Sequence, residues 1–199
     1  AYLKKTKDLL INQPLPNSIG FRSIASNVGN MENKGLEFVL TTKNFARDKF
    51  TWTTDLNFSL NRNEVTSLGD KVGSITFGGI YERDAAIRVV PGRPLGSFYG
   101  YVSNGVDPQT GNIVYQDLNG DGTITAADRT FIGSAQPKFT YGFNNTFTYG
   151  NLGLNFLFQV VQGNDMFNAS RMELEGMNDS KNQSAVVLNR WTTAGQITD

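Results

Sequence analysis

The residues best suited to chemistry in this chain form the run Asp117-Leu118-Asn119-Gly120-Asp121-Gly122-Thr123-Ile124-Thr125-Ala126-Ala127-Asp128. Side-chain oxygens fall at the first, third and fifth positions of the loop (Asp117, Asn119, Asp121). Gly122 follows where a sharp turn is needed, Thr123 offers its carbonyl, and Ile124 is placed to anchor the loop. A hard cation such as Ca2+ takes roughly six to eight oxygens in such an arrangement, so the spacing offers calcium as a cofactor that pins a loop. The closing residue is Asp128 rather than Glu, and its shorter arm favours weaker or less complete coordination. The flanks are not long helices, which speaks against a calcium-switched helix pair. The same letters also describe a tight acidic turn, Asn-Gly-Asp-Gly, that needs no metal.

Phe77, Tyr81, Tyr99 and Tyr101 are the second candidates, because their ring faces suit stacking on sugars; aromatic residues in long loops also serve packing. Little else supports catalysis. The 199 residues contain no Cys and no His, so thiolate nucleophiles, Cys-type zinc sites and the commonest general base are missing. Glu173 and Glu175 point to different sides of any helix. The glycines at 78 and 79 follow no phosphate-binding spacing. With 18 basic and 18 acidic side chains, the chain lacks the basic excess of a nucleic-acid binder. The expectation is a protein that is not an enzyme and has no nucleic-acid partner.

The elements that must position these residues are strands. On one face of residues 139–149 lie Phe139, Tyr141, Phe143, Phe147 and Tyr149, with Asn145 as the single polar exception; the other face carries Thr140, Gly142, Asn144, Thr146 and Thr148. A two-residue Gly150-Asn151 turn of the primed type pairs Tyr149 with Leu152. The apolar stripe then continues through Leu154, Phe156, Phe158 and Val160, while Leu157 and Val161 fall on the polar face. Phe50, Trp52, Leu56, Phe58 and Leu60 alternate in the same way, interrupted only by Thr54. Leu36, Phe38 and Leu40 alternate with Glu37, Val39 and Thr41, which makes a second hairpin with its connection at residues 43–49. A weaker strand covers residues 2–11, where Lys4, Lys5, Lys7 and Asp8 blur the pattern.

No apolar run approaches the roughly 18 to 20 residues of a spanning helix, but the best strands reach the roughly 9 to 11 residues of a tilted spanning strand. Their apolar faces carry no Lys or Arg, and their second faces are Thr, Asn and Gly with Asp55 as the one charge, which suits a wet barrel lumen. The fold expected is all-β: antiparallel transmembrane β-barrel strands with long extracellular loops. Polar, Gly-rich segments at 12–33, 62–138 and 162–199 contrast with the two short turns. In outer-membrane barrels short turns face the periplasm. By parity the segment 62–138 then crosses the membrane an even number of times, most simply none, and forms one long extracellular excursion with extended pieces at 95–103 and 112–116. Short helices are expected at 169–174 and 184–191. The alternative of another class is a secreted, soluble β-sandwich that binds calcium and carbohydrate.

Several segments together resemble one family. These are residues 27–37 (Asn-Val-Gly-Asn-Met-Glu-Asn-Lys-Gly-Leu-Glu), residues 92–101 (Gly-Arg-Pro-Leu-Gly-Ser-Phe-Tyr-Gly-Tyr), residues 115–122 followed by Asp128-Arg129 and Ile132-Gly133, and Asn189-Arg190-Trp191-Thr192. In this combination and order they resemble the carboxy-terminal barrel of SusC/RagA-type TonB-dependent transporters of Bacteroidetes. The resemblance implies an outer-membrane location against lipid, within a large plugged barrel. It implies a SusD-like surface lipoprotein as partner, TonB coupling through an amino-terminal region outside these residues, and import of oligosaccharides or peptides. On that resemblance residues 1–199 are a partial barrel region, without plug or TonB box.

Overall fold

The computed structural model describes residues 1–14, 23–69, 72–77, 86–177 and 180–198. They form strands β1 (Tyr2–Pro14), β2 (Ser23–Arg47), β3 (Phe50–Ser67), β4 (Ile75–Phe77), β5 (Ile87–Val89), β6 (Ser97–Gly100), β7 (Ser103–Val106), β8 (Ile113–Tyr115), β9 (Thr130–Ser134), β10 (Phe139–Tyr149) and β11 (Leu152–Gln162), followed by helix α1 (Ala169–Glu175). The chain divides into two compact units. One comprises Ala1–Thr76, Arg88–Ser97 and Ser134–Asp165; the other comprises Phe77–Ile87, Phe98–Gly133 and Met166–Asp199.

The first unit is built on an antiparallel sheet in the order β1-β2-β3-β10-β11. Strand β3 pairs directly with β10, from Phe50 opposite Tyr149 to Ser59 opposite Thr140. Among the described residues, the segment between them contributes no further strand to this sheet. Its own short strands form a four-stranded sheet, β4-β5-β6-β9, and a hairpin, β7-β8. The turn after β10 is the expected one: Tyr149 pairs with Leu152, and Gly150 has φ +57°. A positive φ at the first turn residue and not at Asn151 matches the turn type that wants Gly in that place.

Several boundaries differ from the sequence expectation. The connection at 43–49 shrinks to Asp48 and Lys49, because β2 runs to Arg47. Asn44 is the extra residue of a bulge between the Lys43–Thr53 and Phe45–Trp52 pairs. One inserted residue reverses the side-chain phase, and that brings Phe45 onto the face of Trp52. The segments at 12–33 and 62–138 are partly strand as well: β1 reaches Pro14, β2 starts at Ser23 and β3 ends at Ser67. Here ladder pairing persists although alternation has stopped. In β1 the blurred alternation has a local cause, since the register shifts between Thr6 and Leu9 around Asp8 at φ 54°. The second terminal helix is a short 3₁₀ turn, Ala185–Asn189.

Among the described residues, none forms a second layer on the apolar face of the sheet. Phe38, Leu40, Leu154 and Phe158 are each more than 40% exposed. Among the described residues only Val65, Leu68, Ile75 and Val89 are buried hydrophobics. A β-sandwich would cover that face to make its core, so the soluble sandwich alternative is not supported. On the other face Thr41 donates to Asp55 at 2.8 Å and Asn155 to Thr146 at 2.6 Å. Leu157 and Val161 stand there too, opposite Asn144 and Thr140 and exposed. Gly35 is required by close approach: a Cβ would lie 2.4 Å from the Leu60 carbonyl oxygen and 2.7 Å from the Tyr2 ring, which crosses it. The Tyr2 hydroxyl then donates to Asn61.

The two polar interruptions of the stripe are direct neighbours, Asn145 opposite Thr54. The Asn145 Oδ1 accepts from Trp52 Nε1 at 2.9 Å and from the Thr54 hydroxyl at 2.8 Å. Asn44 donates to Thr54 at 2.5 Å and accepts from Thr42 at 2.9 Å. A hydrogen-bonded row thus crosses β2, β3 and β10 inside an otherwise apolar face, and Asn145 is 2% exposed. Removing its oxygen strands two donors where no water replaces it. Asn145→Ala is expected to lower the stability of the full receptor in detergent by about 1 kcal/mol, read from the urea midpoint. Gln159→Ala, on the opposite face, is expected to leave that midpoint in place.

Candidate functional site

The second unit contains the acidic loop. Asp117 accepts from the Gly120 and Gly122 amides at 2.7 and 2.8 Å, one on each carboxylate oxygen. Asp121 accepts from the Thr123 amide at 2.8 Å and from the Asn119 side chain at 2.8 Å. Asn119 Oδ1 accepts from the Asp121 amide at 2.9 Å. Asp128 is fully buried. One of its oxygens takes the Leu118 and Asn119 amides, and the other takes the Thr125 amide and hydroxyl. Thr125 caps the 3₁₀ turn Ala126–Asp128 reciprocally, in a capping box.

Asp128 is therefore the clasp that ties the two ends of the loop. Ile124, expected as the anchor, is 42% exposed instead; a buried carboxylate with a full set of donors does that work. The expected ligands Asp117, Asn119 and Asp121 do share one turn, with Thr123 beside them, whereas the expected closing ligand Asp128 has both carboxylate oxygens engaged by the Leu118, Asn119 and Thr125 donors. Each amide contact leaves a carboxylate oxygen a second lone pair. Among the described residues, however, no group of three or more acidic side chains converges as a metal cage.

The aromatic candidates are placed differently from one another. Tyr99 meets Phe131 edge-on at 5.2 Å, and Tyr101 packs against Tyr115 at 5.3 Å. The Arg129 guanidinium lies 4.9 Å from the centre of the Tyr101 ring. Tyr101 is thus in contact with both a ring and a cation, and the cation follows directly on the Asp128 clasp. Phe77 is in β4, and Tyr81 lies outside the described residues. Neither Tyr115 nor Arg129 could be singled out by periodicity, since contacts between separate loops leave no period.

Trp191 is a further positioning residue. Its Nε1 donates to the Pro108 carbonyl at 2.8 Å, which also accepts from the Gly195 amide. The indole covers Gly111, where a Cβ would come within 2.5 Å of the ring. The turn so clamped is closed by Asp107, which accepts from the Gln109 amide and the Thr110 hydroxyl.

The clasp titrates with a definite sign. The Thr125 amide, foremost among its donors, holds the Asp128 carboxyl below its ordinary value of 3.8, against the opposing effect of burial. A lowered carboxyl contributes stability that is complete above its ordinary value and is lost as pH falls through the lowered one. Asp128→Asn places an amide group among N–H donors at neutral pH. It is expected to speed hydrogen exchange at Leu118, Asn119 and Thr125 by about tenfold or more in the full receptor. The same three amides are expected to lose protection in the unsubstituted protein only in acid below the usual Asp range.

The chain is 36% identical over 218 residues to TonB-dependent receptor P3 of Formosa agariphila, a match covering 100% of this chain and 21% of that one. It is 27% identical over 183 residues to TonB-dependent receptor SusC of Bacteroides thetaiotaomicron, covering 84% and 17%. Among solved structures it is similar to the RagAB peptide transporter, with a TM-score of 0.82 and 26% identity over 99% of this chain and 24% of that one. No family model matches. The chain spans about a fifth of the length of the curated relatives it matches. Exposed apolar strands without a covering layer, neighbouring β3 and β10, and similarity along the whole sequence agree on one assignment. The chain belongs to the SusC-like TonB-dependent receptors of the bacterial outer membrane and carries antiparallel strands of their transmembrane β-barrel.

Proposed function

We propose that the receptor containing this chain imports oligosaccharides or peptides across the outer membrane with TonB-supplied energy, in company with a SusD-like surface lipoprotein. The observation that carries the reading is the 36% identity to a TonB-dependent receptor over the whole chain, joined to an apolar sheet face that no protein layer covers. In this reading the tight turns at Asp48-Lys49 and Gly150-Asn151 face the periplasm, and residues 62–138 form the extracellular excursion. Strand length supports it. The 11 residues of β10 rise about 3.3 Å each, and at a tilt of about 45° reach roughly the 25 Å height of an outer-membrane apolar band.

The role proposed for this chain is structural and recognitive: its strands form part of the wall, and its loops meet ligand and lipoprotein. Phe77, Tyr81, Tyr99 and Tyr101 are the proposed ligand contacts. Tyr99 and Tyr101 are each engaged with another ring, and Tyr101 with the Arg129 guanidinium as well, so the contact proposed for them is with whatever part of each ring these neighbours leave uncovered. No catalytic step is proposed. For the acidic loop we propose calcium held by Asp117, Asn119, Asp121 and the Thr123 carbonyl, with Asp128 closing the loop behind them. Ligand spacing supports this.

The full-length protein is expected to stay with the outer-membrane fraction until detergent is added, and cells expressing it are expected to lose uptake of its nutrient when TonB is disabled. Release without detergent, or uptake that survives loss of TonB, would overturn the reading. Calorimetric titration of the detergent-solubilised receptor with Ca2+ is expected to give heat that Asp121→Ala abolishes. Identical traces for the two proteins would remove the metal.

A further inference from the structure

We propose that Lys34 and Arg62 form a seat for the phosphate of an outer-leaflet lipid headgroup. The proposal rests on the orientation above, with the hairpin turns toward the periplasm. On the lipid-facing side the cross-strand rows Leu40–Leu56–Phe143–Phe158 and Phe38–Phe58–Tyr141–Val160 carry no charge. Leu36 opposite Leu60 continues the apolar series, and the next pair outward on the same face is Lys34 opposite Arg62. One such step along a strand pair is about 7 Å, so both cations stand at the edge of the apolar band, the depth of lipid phosphates.

Like charges directly opposite each other across two strands repel and destabilise the pair. An anion between them converts that cost into attraction. Neither side chain has found one within the protein, because neither forms a salt bridge among the described residues. The nearest acidic pair is Glu32 opposite Glu64, and Glu32 is held by Lys5 at 3.3 Å. Arg62 is also oriented: its Nη1 donates to the Lys138 carbonyl at 2.9 Å and to the Asn61 carbonyl at 3.4 Å. Its remaining donors stay available for a fork-like contact with phosphate oxygens. A cleft of about 310 Å³ lies at this place, lined by Lys34, Arg62, Ser134 and Gln136 and also by the carboxylates Glu32 and Glu64, of which Glu32 is taken up by Lys5. Adjacent cations at the headgroup level are a recognised means of holding phosphorylated lipids, and here the phosphate is placed at the Lys34–Arg62 end of the cleft.

The test uses the full receptor in nanodiscs of neutral phosphatidylcholine doped with lipid A or with dephosphorylated lipid A, and native mass spectrometry counts the lipid retained. Lys34→Gln with Arg62→Gln is expected to lower retention of lipid A about tenfold. Lys4→Gln, which removes a charge from the opposite face of the same sheet, where Lys4 pairs with Asn33, is expected to leave retention unchanged. Equal retention by the double variant, or equal retention of the dephosphorylated lipid by the unsubstituted receptor, overturns the seat. Orientation is read separately, by labelling Thr66→Cys on intact cells with an impermeant maleimide. Labelling only after lysis overturns the orientation and the proposal with it; labelling of intact cells with unchanged lipid retention overturns the seat alone.

Discussion

Backbone pairing in a medium that offers no other partner is the constraint on which this structure depends. In the hydrocarbon of a membrane every N–H and C=O must be satisfied by protein, which leaves a strand no freedom to end, loop or open there. The long ladders from β2 to β11 meet that demand, and their register decides everything else. Once Tyr149 is opposite both Phe50 and Leu152, the apolar stripe from β3 to β11 falls on one face, broken only by Asn145 and Thr54, and the Thr, Asn and Asp set falls on the other, joined by Leu157 and Val161. A slip of one residue would exchange the two faces completely.

Within that register two devices handle residues that do not fit. The bulge at Asn44 resets the phase of β2 near its end, so that Phe45 reaches the aromatic group of Trp52, Phe50 and Phe147. The polar row from Thr42 to Asn145 is the second. Each of its members alone would be a liability in an apolar layer, but linked they satisfy one another, apart from the Asn145 Nδ2, which has no hydrogen-bond partner among the described residues, and tie three strands by side chains as well as by backbone. The bulged residue belongs to that row, so the phase correction and the polar tie share one asparagine.

Hydrophobic alternation made the sheet legible only where lipid imposes it. Leu36 to Leu40, Phe50 to Leu60 and the hairpin at Gly150 could be read from their residues, and the pairing of Tyr149 with Leu152 followed from the turn. Residues 23–33 and 62–67 are strand too, yet polar side chains stand on both faces, Glu32, Arg62 and Glu64 on one and Asn33 and Asn63 on the other, and a period of two in polarity vanishes when neither face is apolar. In the loops the ligand spacing of Asp117, Asn119 and Asp121 was visible, whereas the roles of Asp128 and Arg129 were not. Burial of a carboxylate depends on which amides converge on it, and the Tyr101 stack joins residues from separate loops. Asn145 looked like a flaw in the stripe because its partners, Thr54 and Trp52, lie far away in sequence.

The bond from Trp191 to the Pro108 carbonyl joins segments 83 positions apart, and the indole fills the space over Gly111 that any side chain would need. In chain order these belong to two different surface loops, but mechanically they are one part. Loop exchange between related receptors, the obvious route to recombining their specificities, therefore has a natural unit larger than a single loop. The turn at 107–112 and the segment around Trp191 have to travel together, and a graft of either alone leaves a bulky ring without its socket or a socket without its ring.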